Sequence, residues 1–248
     1  MRKIDIVRQI IGPKRYGALT YRRSPSSGRA WGGPMNGQRL RCLLVSQILV
    51  YCDAVAIIET GTFRGTTTEW LSAFQMPVYS CEASAENFGF SNARLSMIPN
   101  VHLMHMDSRA ALREILDGPL AQKSRDPILF YLDSHWNKDL PLADELEIIF
   151  SKCCRAIVLV DDFQVHDDPG YSYDDYGPGK ALTFDYVTEK IRAYELATFY
   201  PHTSEAETGA KRGCILLANN DLMGPILERV PLLRKFAHTH ENLSIQKA

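Results

Sequence analysis

Residues 54–74 read AVAIIETGTFRGTTTEWLSAF. The first seven form a short apolar run rich in β-branched residues and closed by Glu59, the pattern of a strand buried on both faces of a parallel sheet. Two glycines, Gly61 and Gly65, then punctuate a turn, and TTTEWLSAF suggests a helix. Strand, glycine-containing turn and helix make the first part of a βαβ unit. The rest of the chain repeats the pattern.

Downstream, VYSCEA (78–83), VHLMHMD (101–107), DPILFYLD (126–133) and RAIVLVDD (155–162) read as four further strands. Between them lie SAENFGFSNARLSMI, opened by Ser84, SRAALREILDG, stopped by Gly118, and DLPLADELEIIFSKC; all three read as helices. Upstream, RLRCLLVSQILVY (39–51) has the apolar spacing of an amphipathic helix. After the fifth strand, FQVHDDPGYSYDDYGPGK (163–180) has no periodicity, the mark of a functional or disordered loop. ALTFDYVTEKIRAYE then restores a helix. LATFYP (196–201) and RGCILLAN (212–219), with no helix-length segment between them, suit an antiparallel pair at a sheet edge.

Strands alternating with helices require right-handed crossovers and a sheet covered on both faces. The expected fold is therefore α/β: a doubly wound, mostly parallel, seven-stranded Rossmann-like sheet with helices on both faces. Residues 1–38, rich in Gly, Pro and Ser toward their end, read as an N-terminal arm and 39–219 as the domain. Residues 220–248, punctuated by prolines, read as a tail that packs on the domain as short helical pieces.

A chain of 248 residues with 45% hydrophobic content suffices for one core with appendages. The formal charge of −1 gives no electrostatic reason to expect nucleic acid. Its basic stretch KRYGALTYRRSPSSGR (14–29) reads most simply as a solvated arm, with a polyanion surface as the alternative. No apolar run approaches the roughly 18–20 residues a membrane helix needs, and the start lacks a secretory signal pattern. The expected location is the cytoplasm. Six cysteines follow no metal-site spacing, and Cys52, Cys81, Cys153 and Cys214 lie in or beside apolar runs, as buried free thiols in a reducing compartment would.

Each of the first five strands ends in acid: Glu59, Glu82, Asp107, Asp133 and Asp161-Asp162. In open α/β sheets ligands bind outside these carboxyl ends, where strand order reverses. The first turn places Phe63 where a dinucleotide fingerprint has its second glycine, the residue that admits a pyrophosphate to the backbone. That argues against NAD or FAD. A ligand with ribose and no phosphate fits, and Glu82, 21 residues after Gly61, stands where a carboxylate grips ribose hydroxyls. The plainer alternatives are a tight strand-to-helix turn at Gly61 and Gly65, helix capping by Asp139, and an ordinary turn at Asp161-Asp162.

Taken together, Glu-x-Gly-x-x-x-Gly after strand one, the acids of strands two and three, LDSHWNK (132–138) and LVDDF (159–163) resemble the class I S-adenosylmethionine-dependent methyltransferases. Within that class the chain is similar to the cation-dependent O-methyltransferases typified by catechol O-methyltransferase, with sugar and macrolide O-methyltransferases as relatives. The resemblance spans about residues 40–218. It implies that Glu59, Gly61, Thr62 and Gly65 line the methionine and ribose side of S-adenosylmethionine. It also implies that Glu82 binds the ribose hydroxyls, and that Asp107, Ser108 and Asp133 complete the cofactor site. Asp133, Asp161 and Asp162 would hold a divalent cation, magnesium above others; the catechol enzymes usually have asparagine at the third position, the sugar enzymes more often an acid. The family's Asp-His-Trp-Lys run appears as Asp133-Ser134-His135-Trp136-Asn137-Lys138, with one residue inserted before the histidine and one before the lysine. The base is therefore open between His135 and Lys138.

This chemistry suits the residues. Three converging carboxylates repel unless a cation or protons compensate them, and an all-oxygen set suits magnesium better than zinc. A hydroxyl is a poor methyl acceptor until its proton is lost, to a base aided by a metal. The expected function is magnesium-assisted O-methylation of a hydroxylated small molecule, a sugar or secondary metabolite. The alternatives are a non-methylating metal-dependent relative and a non-catalytic adenosyl-ligand-binding module. Trp136 would wall the pocket, and Tyr171, Tyr173 and Tyr176 would form a lid. The N-terminal helix offers a surface for a homo-oligomer.

Overall fold

The computed structural model describes residues 3–28, 32–135 and 139–236. Five strands, β1 (Ala56–Thr60), β2 (Val78–Cys81), β3 (Val101–Met104), β4 (Ile128–Leu132) and β5 (Ala156–Asp161), run parallel. With β6 (Leu196–Pro201), β7 (Cys214–Asn219) and β8 (Leu233–Lys235) they form one sheet in the order β3-β2-β1-β4-β5-β7-β6-β8. β7 is antiparallel to both β5 and β6. Strand order reverses between β1 and β4, the position at which open α/β sheets generally bind their ligands.

Parallel strands buried on both faces send alternate residues to opposite layers. Ile58 of β1 and Ile128, Phe130 and Leu132 of β4 pack in the layer that holds Ala111 and Leu112 of α6 (Ser108–Asp117), Leu146 of α7 (Leu142–Lys152) and Val187 of α8 (Phe184–Ala193). Ile57, Leu129 and Tyr131 pack in the other layer, with Leu44 and Ile48 of α3 (Arg39–Tyr51) and Leu71 of α4 (Thr66–Ser72). The doubly wound α/β sheet is thus the fold of this chain. Cys52, Cys81, Cys153 and Cys214 are buried and free, Cys154 is exposed, and Cys42 is half-buried. Among the described residues no helix is long and apolar enough to cross a membrane.

Both ends differ from expectation. Instead of seven strands the sheet has eight, because the tail supplies β8 against β6, with Phe236 N donating to Thr198 O at 2.8 Å. A sheet edge favours such cover, and three residues are too few for alternation to show in sequence. The tail also forms the short helix α9 (Gly224–Leu227).

The arm is helical rather than merely solvated. It contains α1 (Lys3–Ile11) and α2 (Pro13–Arg23), and α2 lies on α5 (Ala85–Leu95). Gly17 and Gly89 let the two backbones touch: a Cβ on Gly17 would stand 1.9 Å from Glu86 O, and one on Gly89 1.9 Å from Lys14 O. Arg8 adds an ion pair to Glu86 at 2.8 Å, and Tyr21 stacks edge-on against Phe90. The two glycines lie 72 residues apart in the chain, so no local pattern announces their meeting.

Gly89→Val should therefore release the arm without melting the sheet. Tryptic cleavage after Arg22 or Arg23 should accelerate by about tenfold or more as the packing contact is lost, with little change in the unfolding midpoint of the rest. Unchanged cleavage would contradict the close crossing.

Candidate functional site

At the carboxyl end of β1, Glu59 is 1% exposed and pairs in register with Ser80 of β2 and Tyr131 of β4. Its carboxylate accepts from Ser80 Oγ at 2.5 Å and from Thr68 Oγ1. Burial pushes its pKa up to about 7, against the pull of those two hydroxyls and with added repulsion from Glu82. Thr62 Oγ1 completes the group with a 2.6 Å contact to Ser80 Oγ.

The turn that follows is tied down on both sides. Gly61 N and Thr62 N both donate to Cys81 O at 3.0 Å, and Asp133 N donates to Thr60 O at 3.0 Å. Gly61 has φ 87, and a Cβ there would stand 2.2 Å from Asp133 O. Only glycine lets the β1 turn lie against the end of β4 in this way. The turn and Asp133, expected from sequence to share a site, therefore touch through their backbones at the switch point.

Glu82 sits just past β2 and binds the same turn, accepting from Phe63 N at 2.8 Å and from Ser84 N at 2.7 Å. Burial raises its pKa and those two amides oppose the rise. One carboxylate thus joins the rim of the β1 turn to the start of α5, where Ser84 caps the helix by accepting from Asn87 N. Asp107 has a different local role, as N-cap of α6. It accepts from Arg109 N at 3.0 Å and from the Arg109 guanidinium, which also reaches Asp139 at 2.8 Å. That guanidinium holds the Asp107 carboxyl below its ordinary range.

Ser108 is buried beside a residue that sequence reading missed. Glu145 of α7 is fully buried, accepts from Ser134 Oγ at 2.7 Å, and has its pKa raised by burial. The hydroxyls of Ser134, Ser108 and Thr60 oppose that rise. The signal was present: Glu145 lies on the apolar stripe of Leu142, Leu146 and Ile149, where a carboxylate costs desolvation unless polar groups await it.

Asp133, Asp161 and Asp162 come close enough to repel one another. Burial, then the charges of Asp161, Asp162 and Glu59, push Asp133 well above the ordinary carboxylate range, which favours its protonated form. Asp161 ends β5 and is 1% exposed. It forms a buried ion pair with Arg41 through Oδ1, while Oδ2 accepts from Tyr131 Oη at 2.5 Å and Asn36 Nδ2 at 3.3 Å. Asp162, with φ 54, turns the chain out of β5 and pairs with Arg212 Nε at 2.6 Å. Arg212 also binds Asp174.

These carboxylates do not fit magnesium as they stand. A divalent cation needs ionised oxygens with open lone pairs. Here one acid is pushed toward its protonated form and the other two have guanidinium partners. Displacing Arg41 would leave a guanidinium with 1% side-chain exposure without its anion, a penalty of about 3–5 kcal/mol for a broken buried pair.

His135 is 4% exposed, and its Nε2 lies 3.2 Å from Asp161 O. A carbonyl only accepts, so Nε2 is assigned the proton and Nδ1 the lone pair. Nδ1 has no partner among the described residues, and burial pushes the pKa down and keeps the ring neutral. The 163–180 segment lies across this region: Tyr176 Oη donates to Asp174 and lies 3.4 Å from His135 O. Asp174 N donates to Asp162 O at 2.9 Å. Of the three tyrosines expected in a lid, Tyr171 is buried and donates to Thr203 O at 2.8 Å. Trp136, Asn137 and Lys138 lie outside the described residues.

The chain matches no family model and no curated protein. Among solved structures, a Klebsiella pneumoniae protein described as a "putative O-methyltransferase" shares its fold. The TM-score is 0.51 at 15% identity, over 81% of this chain and 89% of that one. An O-methyltransferase from Bacillus cereus, in complex with SAH, gives 0.49 at 15% identity over 86% and 94%. The O-methyltransferase TomG from Streptomyces achromogenes, in complex with SAM, gives 0.48 at 16% identity over 84% and 89%.

The buried Glu59 makes stability depend on pH. An acid that ionises near 7 when folded and near 4.5 when unfolded loses stability as pH rises from about 4.5 to 7, by an order of 3 kcal/mol in the limit. Thermal unfolding of Glu59→Gln beside the parent should show the variant gaining relative to the parent across that window. A difference independent of pH would mean that Glu59 ionises normally.

Proposed function

We propose that this chain is an S-adenosylmethionine-dependent methyltransferase that transfers the sulfonium methyl to a hydroxyl of a small molecule, a sugar or secondary metabolite. The observation that carries the reading is the meeting of three features at one switch point. They are the Gly61 turn against Asp133, the Glu82 carboxylate on that turn, and a buried neutral His135 whose Nδ1 has no partner among the described residues. The fold, shared with methyltransferases, and the resemblance of the strand-end motifs support it.

In this reading the cofactor supplies an electrophilic methyl, and the chain's residues bind, orient and deprotonate. The 61–65 turn takes the methionine and ribose side, and Glu82, held in place by two backbone amides, retains acceptor capacity for ribose hydroxyls. Glu59 lies beneath the turn as a carboxylate poised near neutrality, a fitting counter-charge for a cationic ligand. Transfer from sulfonium to oxygen is in line, so alignment contributes much of the rate. The acceptor's proton goes to a nearby base, and the neutral His135 offers a lone pair for it. Lys138 is the second candidate. No step passes through magnesium, because two of the acids that would hold it are paired with arginine and the third is pushed toward its protonated form.

Isothermal calorimetry with S-adenosylmethionine, followed by transfer of labelled methyl to a panel of hydroxylated acceptors, tests the proposal. The parent should bind the cofactor, and Glu82→Ala should weaken binding about tenfold or more through the lost ribose contacts. If His135 is the base, His135→Asn should lower the transfer rate by about 100-fold or more with cofactor affinity unchanged, while Lys138→Met should leave the rate near that of the parent. The reverse pattern would assign the base to Lys138. Binding without transfer to any acceptor would favour a non-catalytic adenosyl-binding module, and absence of binding would overturn both.

A further inference from the structure

We propose that Arg41 and Arg212 are the resident cations of the strand-end acid cluster, holding Asp161 and Asp162 in place of a divalent metal, and that Arg212 thereby positions the 163–180 segment over His135. The metal half stands on geometry alone; the positioning half rests on the methyl-transfer reading.

The two guanidiniums come from opposite parts of the chain and converge on consecutive residues. Arg41, on α3, is buried; its Nη1 meets Asp161 and its Nη2 donates to Arg212 O at 2.6 Å. Arg212, just before β7, places Nε on Asp162 at 2.6 Å and Nη2 on Asp174, with Nη1 3.4 Å from Ser172 Oγ. Each arginine is thus fixed by a second contact on the other's segment or on the loop. The arrangement is built rather than incidental: Gln38 brackets Arg212 with both ends of its side-chain amide, Nε2 donating to Arg212 O at 3.0 Å and Oε1 accepting from Arg212 N at 2.8 Å. Glu207 caps α3 beside Arg41, accepting from Leu40 N and Arg41 N at 2.9 and 3.0 Å.

The consequence for the loop is direct. Tyr176, which donates to Asp174, lies 3.4 Å from the His135 carbonyl, and the charged tie from Asp174 to the end of β5 passes through Arg212 to Asp162. A planar guanidinium serves two carboxylates at once, which a lysine ammonium does less well. Arg212 is therefore a positioning residue, and its effect on chemistry runs through the segment it ties down.

The test uses the full chain stripped of metal, with manganese titrated and its free form read by electron paramagnetic resonance. The parent should retain no manganese below about 1 mM, and its unfolding midpoint should not move between about 5 mM magnesium and chelator. Arg212→Met should gain manganese affinity by about tenfold or more as the carboxylates lose their partner, whereas Arg212→Lys should not. If Arg212→Met fails to fold, the parent's manganese titration and the magnesium shift of its midpoint still decide. Retention of manganese at about 0.1 mM, abolished by Asp161→Asn, would overturn the proposal, as would a rise of several degrees in magnesium. For positioning, Arg212→Met should accelerate proteolysis within 163–180 and lower the methyl-transfer rate at unchanged cofactor affinity, both restored in part by Arg212→Lys; unchanged proteolysis would overturn it. Calorimetry with S-adenosylmethionine in the same buffers separates the readings: a chain that binds neither cofactor nor manganese keeps the arginine assignment and loses the methyltransferase one.

Discussion

A guanidinium shut away from water must be answered by anions where it lies, and Arg41 is answered by Asp161 at the end of β5. Neither partner can leave without stranding the other, so the pair fixes the start of α3 against the last parallel strand. Much of the site is arranged around it. Tyr131 and Asn36 share the same carboxylate, Arg41 reaches the backbone ahead of β7, and His135 lies against the Asp161 carbonyl. The β1 turn meets this assembly from the other side, where Gly61 touches Asp133.

Acids at five strand ends suggest a site rich in negative charge, and the fold distributes them to separate tasks. Glu59 is sheltered by hydroxyls, Glu82 by two amides, and Asp107 by its helix and Arg109. Asp161 and Asp162 carry arginines, while burial, with added repulsion, pushes Asp133 toward its proton. Asp133, Asp161 and Asp162 lie so close together that they cannot all stay ionised without compensation. Protons and guanidiniums supply the compensation that the sequence alone would assign to a metal.

The sheet was legible because its signals are local. AVAIIET, DPILFYLD and RAIVLVDD are continuous apolar runs closed by acid, and RLRCLLVSQILVY matches α3 over its full length. The antiparallel pair β6 and β7 followed from the short connection between them. Contacts between distant segments were not legible. Gly17 against α5, Asn36 on Asp161, Gln38 with Arg212 and the three-residue β8 depend on partners far along the chain. Arg41 and Arg212 look like ordinary basic residues until the fold places them beside Asp161 and Asp162. Glu145 gave the one local hint, a carboxylate on an apolar helical stripe, that sequence reading passed over.

On the proposed reading an adenosyl ligand lies over the carboxyl end of β1, against the 61–65 turn and Glu82, beside acids paired with arginine. A crystal structure of the chain grown with S-adenosylhomocysteine and manganese, with anomalous data collected for the metal, tests it most directly. The ligand's ribose should lie on Glu82 and its chain against residues 61–65, with no anomalous peak among Asp133, Asp161 and Asp162. A manganese peak bridging those three carboxylates, or an adenosyl ligand bound elsewhere on the molecule, would contradict it.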